Sequence, residues 1–214
     1  MPGLILAFDT SVAHCAAVLL SRERVVAART EAMAKGQAER LMPLLAEVLA
    51  EAGVGWRDLD ALAVGEGPGN FTGVRIAVAA ARGLALALQV PAIGVSALEA
   101  VAHGLARPLA VVEDARRGEV YLQVFTADAA QAAQVCALVE LAPRLGALAL
   151  AGSAAAQVAA LTGGAVLVPV CDPVEAMARI ARSRIGHPQP RPAPFYLRGA
   201  DAAPPRDPAP VLLP

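Results

Sequence analysis

The stretch Gly67 to Arg75, Gly-Pro-Gly-Asn-Phe-Thr-Gly-Val-Arg, constrains this chain most, because it must join a short strand-like run to a long helix. Its three glycines supply unusual dihedrals or close backbone approach, Pro68 fixes one further angle, and Thr72 is placed to cap the helix that follows. A loop so restricted binds phosphate, shapes a site, or presents the helix behind it.

Around the loop, strand and helix signals alternate. Residues 4–10, 14–21 and 24–31 read as three short strands with tight connections, an antiparallel meander. From Gln37 to Ala52 the residues Leu41, Leu44, Leu45, Val48 and Leu49 recur at helical spacing, and Gly53 is a stop signal. A strand over 60–64, the loop, a helix over 72–89, a strand over 92–95 and a helix over 96–105 complete the first half. The pattern then restarts with strands over 109–113 and 119–126 around a charged turn, and a weaker strand near Val135. A strand over 147–151, a helix from Ser153, a strand over 165–168 and a helix over 173–185 follow. One architecture is used twice, the second time in reduced form. Beyond His187 the chain is rich in proline and largely without period, apart from a short run over 195–198.

With 57% hydrophobic and 17% charged residues in 214, the chain has material for a large core. A net charge of -1 leaves no overall basic footprint for holding nucleic acid by phosphate neutralisation. Cys15, Cys136 and Cys171 form no CxxC pair, which argues against a disulfide framework or a zinc site and for a reducing cytoplasm. The N-terminus lacks the basic region of a secretory signal. Leu145 to Cys171 is uncharged and long enough to span a bilayer, but Gly146, Gly152, Gly163, Gly164 and Pro169 divide it. No membrane span is expected.

Asp9, Thr10 and Ser11 end the first strand, where sugar kinases, actin and Hsp70 chaperones place a phosphate loop; a turn held by Asp and Ser hydrogen bonds is the plainer reading. The loop Gly67, Gly69, Thr72, Gly73 lacks the Lys-Ser/Thr of a Walker motif, though amides at a helix start attract anions. Arg75 faces an anion or decorates a solvated stripe. His14, His103 and His187 are scattered and supply no HExxH pair, and no Gly-x-Ser-x-Gly elbow occurs, so metal and nucleophile readings are poor. Asp114, Arg116, Arg117, Gly118 and Glu119 read as a solvated turn or as a cluster facing a cleft. In the helix over 72–89 the charges are Arg75 and Arg82 alone, so it is either central to its domain or covered by another chain.

Together, Ile5 to Ser11, Gly67 to Arg75, Gly94-Val95-Ser96, Asp114 to Tyr121 and Phe195-Tyr196-Leu197-Arg198 resemble the bacterial TsaB (YeaZ) family in order and spacing. The resemblance covers most of the chain and leaves out the last proline-rich residues. It implies an α/β chain with the two-lobed ASKHA fold, like actin-type ATPases and ribonuclease H, the second lobe reduced. Lobes over 1–106 and 107–198 and a proline-rich tail over 199–214 are expected, the first lobe carrying the partner-binding helices.

The same resemblance implies a non-catalytic dimerisation or scaffold subunit of the machinery that forms N6-threonylcarbamoyladenosine in tRNA. It would bind and activate a TsaD-type catalytic subunit, with a TsaE-type ATPase joining and tRNA reached through the complex. Alone, it would be a homodimer. Partner-facing positions are expected at Leu41, Leu44, Leu45, Val48, Val74, Val78, Ala81, Arg82 and Ala85, and a vestigial phosphate loop at Asp9, Thr10, Ser11, Gly67, Gly69, Thr72 and Gly73. No metal and no intrinsic cofactor are implied, with ATP or ADP bound only in the complex. Gln37 stands where many members carry histidine, so no role of a histidine there carries over. The alternatives are an independent ATPase or kinase, from Asp9, Thr10 and the glycine loop, and a metalloprotease, an older label for relatives of this fold.

Overall fold

The computed structural model describes residues 3–198. The expected tail over 199–214 lies outside the described residues. Strands β1 (Leu4–Asp9), β2 (His14–Ser21) and β3 (Arg24–Ala32) form the meander, and β4 (Ala61–Gly65) and β5 (Ala92–Val95) add in parallel to give the order β3-β2-β1-β4-β5. β1, β2 and β4 are buried almost throughout, as strands covered on both faces must be, whereas β3 at the edge is mostly exposed.

Helices α1 (Gln37–Glu51) and α2 (Phe71–Leu88) cover one face of this sheet. Each lays its periodic apolar stripe on the strands: Leu41, Leu44, Leu45, Val48 and Leu49 from α1, and Val74, Ala77, Val78 and Ala81 from α2. By length and composition alone α2 is long and apolar enough to cross a membrane, but these contacts make it a helix packed on a sheet. Arg40 fastens α1 to β3 with charge-assisted bonds to Glu31 (2.6 and 2.7 Å) and is braced by Glu47 on its own helix (2.7 Å). Its guanidinium holds both carboxyls below their ordinary range.

The second sheet repeats the order. Strands β6 (Leu109–Asp114), β7 (Glu119–Phe125), β8 (Gln134–Ala137) and β9 (Ala149–Ala151) run β8-β7-β6-β9, matching β3-β2-β1-β4 in direction and pairing. The strand expected over 165–168 is reduced to one parallel bridge, Leu150 to Val166, at the place β5 holds in the first sheet. Gly164 lies so close to the Leu148 carbonyl that a Cβ there would be 2.1 Å from it, and Val166 and Val168 stay exposed. A strand needs its side chains covered on at least one face, and here little covers them.

Helices α4 (Ala142–Leu145) and α5 (Ala155–Thr162) pack on one face of the second sheet, and α3 (Ala97–Ala102) packs on the other. α3 is shorter than the expected 96–105: Ser96 caps its start, and the chain turns extended at His103. Helix α6 (Pro173–Arg184) returns to the first sheet and covers its second face, where Val174, Met177, Ala178 and Ala181 meet Ile5, Ala7, Val18 and Ala63. The strands therefore separate near residue 107, whereas α6, late in sequence, packs with the first lobe. The uncharged stretch after Leu145 is divided among β9, α5 and the bridged segment.

Candidate functional site: the end of the first strand and the glycine loop

The structure brings the Asp9–Ser11 turn and the glycine loop into direct contact. Asp9, Thr10 and Ser11 are 3%, 0% and 1% exposed, deep for polar residues, so each must find partners within the chain. Asp9 Oδ2 accepts from the Ser11 amide (3.0 Å) and the Ser11 hydroxyl (2.9 Å) and lies 2.8 Å from His14 Nε2. Asp9 Oδ1 is buried without a partner beside Gly65, where a Cβ would stand 2.0 Å from it. Ser11 donates to Asp9 rather than to His14, so the three residues do not form a nucleophile–base pair.

The glycines are explained by this contact. A Cβ on Gly69 would lie 2.4 Å from the Ser11 carbonyl oxygen, and one on Gly73 would lie 1.9 Å from that of Thr10. Only a residue without a side chain lets the first turn of α2 stand so close to the β1–β2 turn. Two bonds lock the approach: the Asn70 amide donates to the Ser11 carbonyl (2.6 Å), and the Thr10 hydroxyl donates to the Gly73 carbonyl (2.6 Å). Gly67 takes the left-handed region at φ 88.

The cap differs from expectation. Asn70, not Thr72, caps α2, its Oδ1 accepting from the Thr72 and Gly73 amides at 3.0 Å each. Asparagine fits an N-cap as well as threonine does, and here it sits one residue before the helix begins. The consequence is electrostatic as well as structural, since the two amides that a phosphate would use already hold an oxygen.

Arg75 is exposed, as a solvated position would be, but it is held by aromatic side chains. Its guanidinium stacks 3.7 Å from the centre of the Phe71 ring, and its Nε donates to the Tyr196 hydroxyl at 2.8 Å. Phe71 and Tyr196 stack with centres 5.0 Å apart. Neighbouring residues continue this strap: the Ala193 and Phe195 amides donate to Glu66 Oε1 and the Glu66 carbonyl at 2.8 Å each, and Arg198 pairs with Glu119 at the β6–β7 turn. Residues 193–198 thus run from the loop of the first lobe to the hairpin of the second. Burial pushes the Glu66 carboxyl above its ordinary range. His14, Asn70 and Glu66 were not singled out as site residues from sequence, because their partners lie across a hairpin, within the loop itself, and on a segment more than a hundred residues away.

The expected partner-facing residues need correction. Leu41, Leu44, Leu45, Val48, Val74, Val78 and Ala81 are at most 3% exposed and lie in the core beneath α1 and α2. Their periodic spacing is the stripe that binds the helices to their own sheet, so they are not available to another chain. Arg82 is exposed and Ala85 half-buried. The outward faces carry other residues, among them Met42 and Ala46 on α1 and Ala79, Arg82 and Leu86 on α2, with Met42 42% and Leu86 75% exposed. The Asp114–Glu119 cluster is a tight turn in which Arg116, Arg117 and Gly118 all have positive φ. Among the described residues no group of three or more His, Cys, Asp or Glu is gathered to hold a metal ion.

Comparisons with known proteins agree with this geometry. The family model for TsaD, tRNA N6-adenosine threonylcarbamoyltransferase, matches residues 25–169. The chain is 41% identical over 130 residues to the tRNA threonylcarbamoyladenosine biosynthesis protein TsaB of Escherichia coli, covering 58% of this chain and 55% of that protein. It is 37% identical over 127 residues to the protein of that name in Bacillus subtilis, covering 56% and 54%. The chain thus spans about half the length of the curated relatives it matches. The crystal structure of YeaZ from Pseudomonas aeruginosa superposes with a TM-score of 0.72 at 30% identity, covering 91% of this chain and all of that one. The ethanolamine utilization protein EutJ of Carboxydothermus hydrogenoformans, at 13% identity and a TM-score of 0.50, shares the fold alone. With a two-lobed ASKHA fold, a matching family model and a YeaZ structure aligned along its whole length, this chain belongs to the TsaB (YeaZ) family.

Proposed function

We infer that this chain is a non-catalytic subunit of the machinery that forms N6-threonylcarbamoyladenosine in tRNA, and that it acts by binding and activating a TsaD-type catalytic subunit. The carrying observation is the filled anion position at the start of α2, where Asn70 Oδ1 occupies the Thr72 and Gly73 amides and the Ser11 carbonyl closes on the loop. Free amides at a helix start attract phosphate, and these two are already taken. Supporting this, the outward faces of α1 and α2 expose Met42, Ala46, Ala79 and Leu86, side chains suited to burial against another protein.

In this reading the glycine loop is a rigid joint that sets the angle of α2 for its partner. A TsaE-type ATPase and tRNA are engaged through the complex, and the same faces pair two copies of the chain when no partner is present. The test is reconstitution with the TsaD-type protein of the same organism. Threonylcarbamoylation of tRNA should rise when the chain is added, and the chain alone should neither bind Mg-ATP tightly nor turn it over. ATP turnover by the isolated chain, or full modification without it, would overturn the reading.

A further inference from the structure

A cavity of about 700 Å³ lies between the C-terminal half of α2, the edge strand β5 and the segment that follows α6. That volume is within the roughly 300–1,000 Å³ of small-molecule sites. It is remote in the chain from the Asp9 turn and shares none of its residues.

Its wall is charged in one sense only. Arg82, Arg184 and Arg191 line it, and among the described residues no Asp or Glu does, although the chain as a whole has 19 acidic residues against 18 basic ones. Arg184 is held in place, donating to the Gly94 carbonyl at 3.1 Å and pairing with Glu99 outside the wall. Arg82 and Arg191 make no side-chain hydrogen bond or ion pair among the described residues, so both guanidinium forks remain open to an acceptor. The remaining wall is largely aliphatic, with Leu86, Val90 and Ile93 beside the arginines. Two unpaired cations over an apolar wall match a molecule with an acidic group at one end and an apolar body at the other.

We propose that this cavity is a binding site for a small organic anion, a carboxylate, sulfonate or phosphate ester with an apolar body, whose acidic group is taken by Arg82 and Arg191. The site requires neither a partner chain nor the α1 face, although it shares Arg82 and Leu86 with the outward face of α2. Guanidinium forks are well suited to such acids because they offer two parallel donors to one planar or tetrahedral acceptor. The aliphatic wall supplies the second element of selectivity, favouring an apolar body over a free inorganic ion.

The probe is 8-anilinonaphthalene-1-sulfonate, titrated by fluorescence into the intact chain, with N-phenyl-1-naphthylamine as its uncharged counterpart. One saturable site is expected, with the sulfonate bound about tenfold or more tighter than the neutral amine, as a charge-assisted pair of bonds implies. The double variant Arg82→Glu with Arg191→Glu should weaken the sulfonate by about tenfold or more and leave the amine nearly unchanged. Gly83→Phe is the second variant: Gly83 lines the cavity, and a Cβ there meets nothing within 4 Å, so the ring can fill the space without disturbing the fold. It should abolish binding of both probes while the urea midpoint stays at or above the parent value, because a glycine inside α2 gives way to a better helix former. Equal affinity for sulfonate and amine, or sulfonate binding that survives either variant, would overturn the proposal.

Discussion

At the end of β1, Thr10 and Ser11 are sealed beneath the first turn of an 18-residue helix; at the end of β6, Asp114 is exposed and the helix that follows β9 has eight residues. The two places correspond in strand order and each is fastened by a backbone bond and a hydroxyl, but one joint is buried and the other exposed. In the first lobe the Asn70 amide meets the Ser11 carbonyl, the buried Thr10 hydroxyl meets the Gly73 carbonyl, and glycines at 69 and 73 leave no room for side chains. In the second lobe the Ala154 amide donates to the Val112 carbonyl at 3.1 Å, and Ser153 Oγ accepts from the Asp114 amide at 3.0 Å and donates to Glu113 on an exposed turn. Gly152 brings the chain close to the Val112 carbonyl, one tight glycine where the first lobe has Gly69 and Gly73. A buried joint pressed against glycines has no room for an added side chain, whereas a hydroxyl bridge on an exposed turn costs less to cut.

The largest effect that can break this comparison is Gly73→Ala. Its methyl would stand 1.9 Å from the Thr10 oxygen and 2.9 Å from the Thr10 carbonyl carbon, and neither backbone atom can swing aside. A loss of about 3 kcal/mol or more is expected in urea unfolding. Ser153→Ala should cost about 1–2 kcal/mol, because it removes the acceptor of one amide and the donor to one carboxyl in a region that water reaches. Equal losses for the two variants would mean that the burial of the first joint does not set it apart from the second.

A smaller effect sharpens the comparison through pH. Each lobe holds a glutamate near a strand end whose carboxyl is pushed up by burial, Glu66 in the first and Glu113 in the second. A carboxyl whose folded pKa lies above its unfolded one stabilises most fully below the unfolded value, and that contribution is lost as pH rises through the folded value. Glu66→Gln removes the penalty while its side-chain oxygen still accepts from the Ala193 amide. The Tm of this variant should exceed the parent at pH 7.5, with the gap closing as pH falls to the ordinary carboxyl value of 4.5. A gap that stays constant with pH would place the effect of Glu66 in packing rather than in charge.

Much of the fold was legible because its signals are local. The meander, the helical stripes of α1 and α2 and the restart at β6 follow from periods of two and near four in the sequence. The fifth strand of the second sheet was not legible, because Val166 and Val168 have strand chemistry and lack only a cover, which is a tertiary property. The joint was half legible: its glycines announced close approach, but what approached them, Thr10 and Ser11, lay some sixty residues away. The partner-facing residues of the helices were misread for a general reason. An apolar stripe looks the same whether it faces the chain's own sheet or another protein, and here Val78 and Ala81 face the sheet while Ala79 and Leu86 face outward. The aromatic contact of Arg75 was not legible because Tyr196 arrives from the far end of the chain.

The central claim is that the outward faces of α1 and α2 bind a TsaD-type subunit. It is tested most directly by measuring the mass of the mixed complex for the parent chain and for Met42→Glu combined with Ala79→Arg, two exposed positions outside the core and outside the arginine-lined cavity. The account predicts a stable complex with the parent, none with the variant at the same micromolar concentration, and an unchanged Tm for the variant alone. A complex of equal mass and affinity with the variant would contradict it.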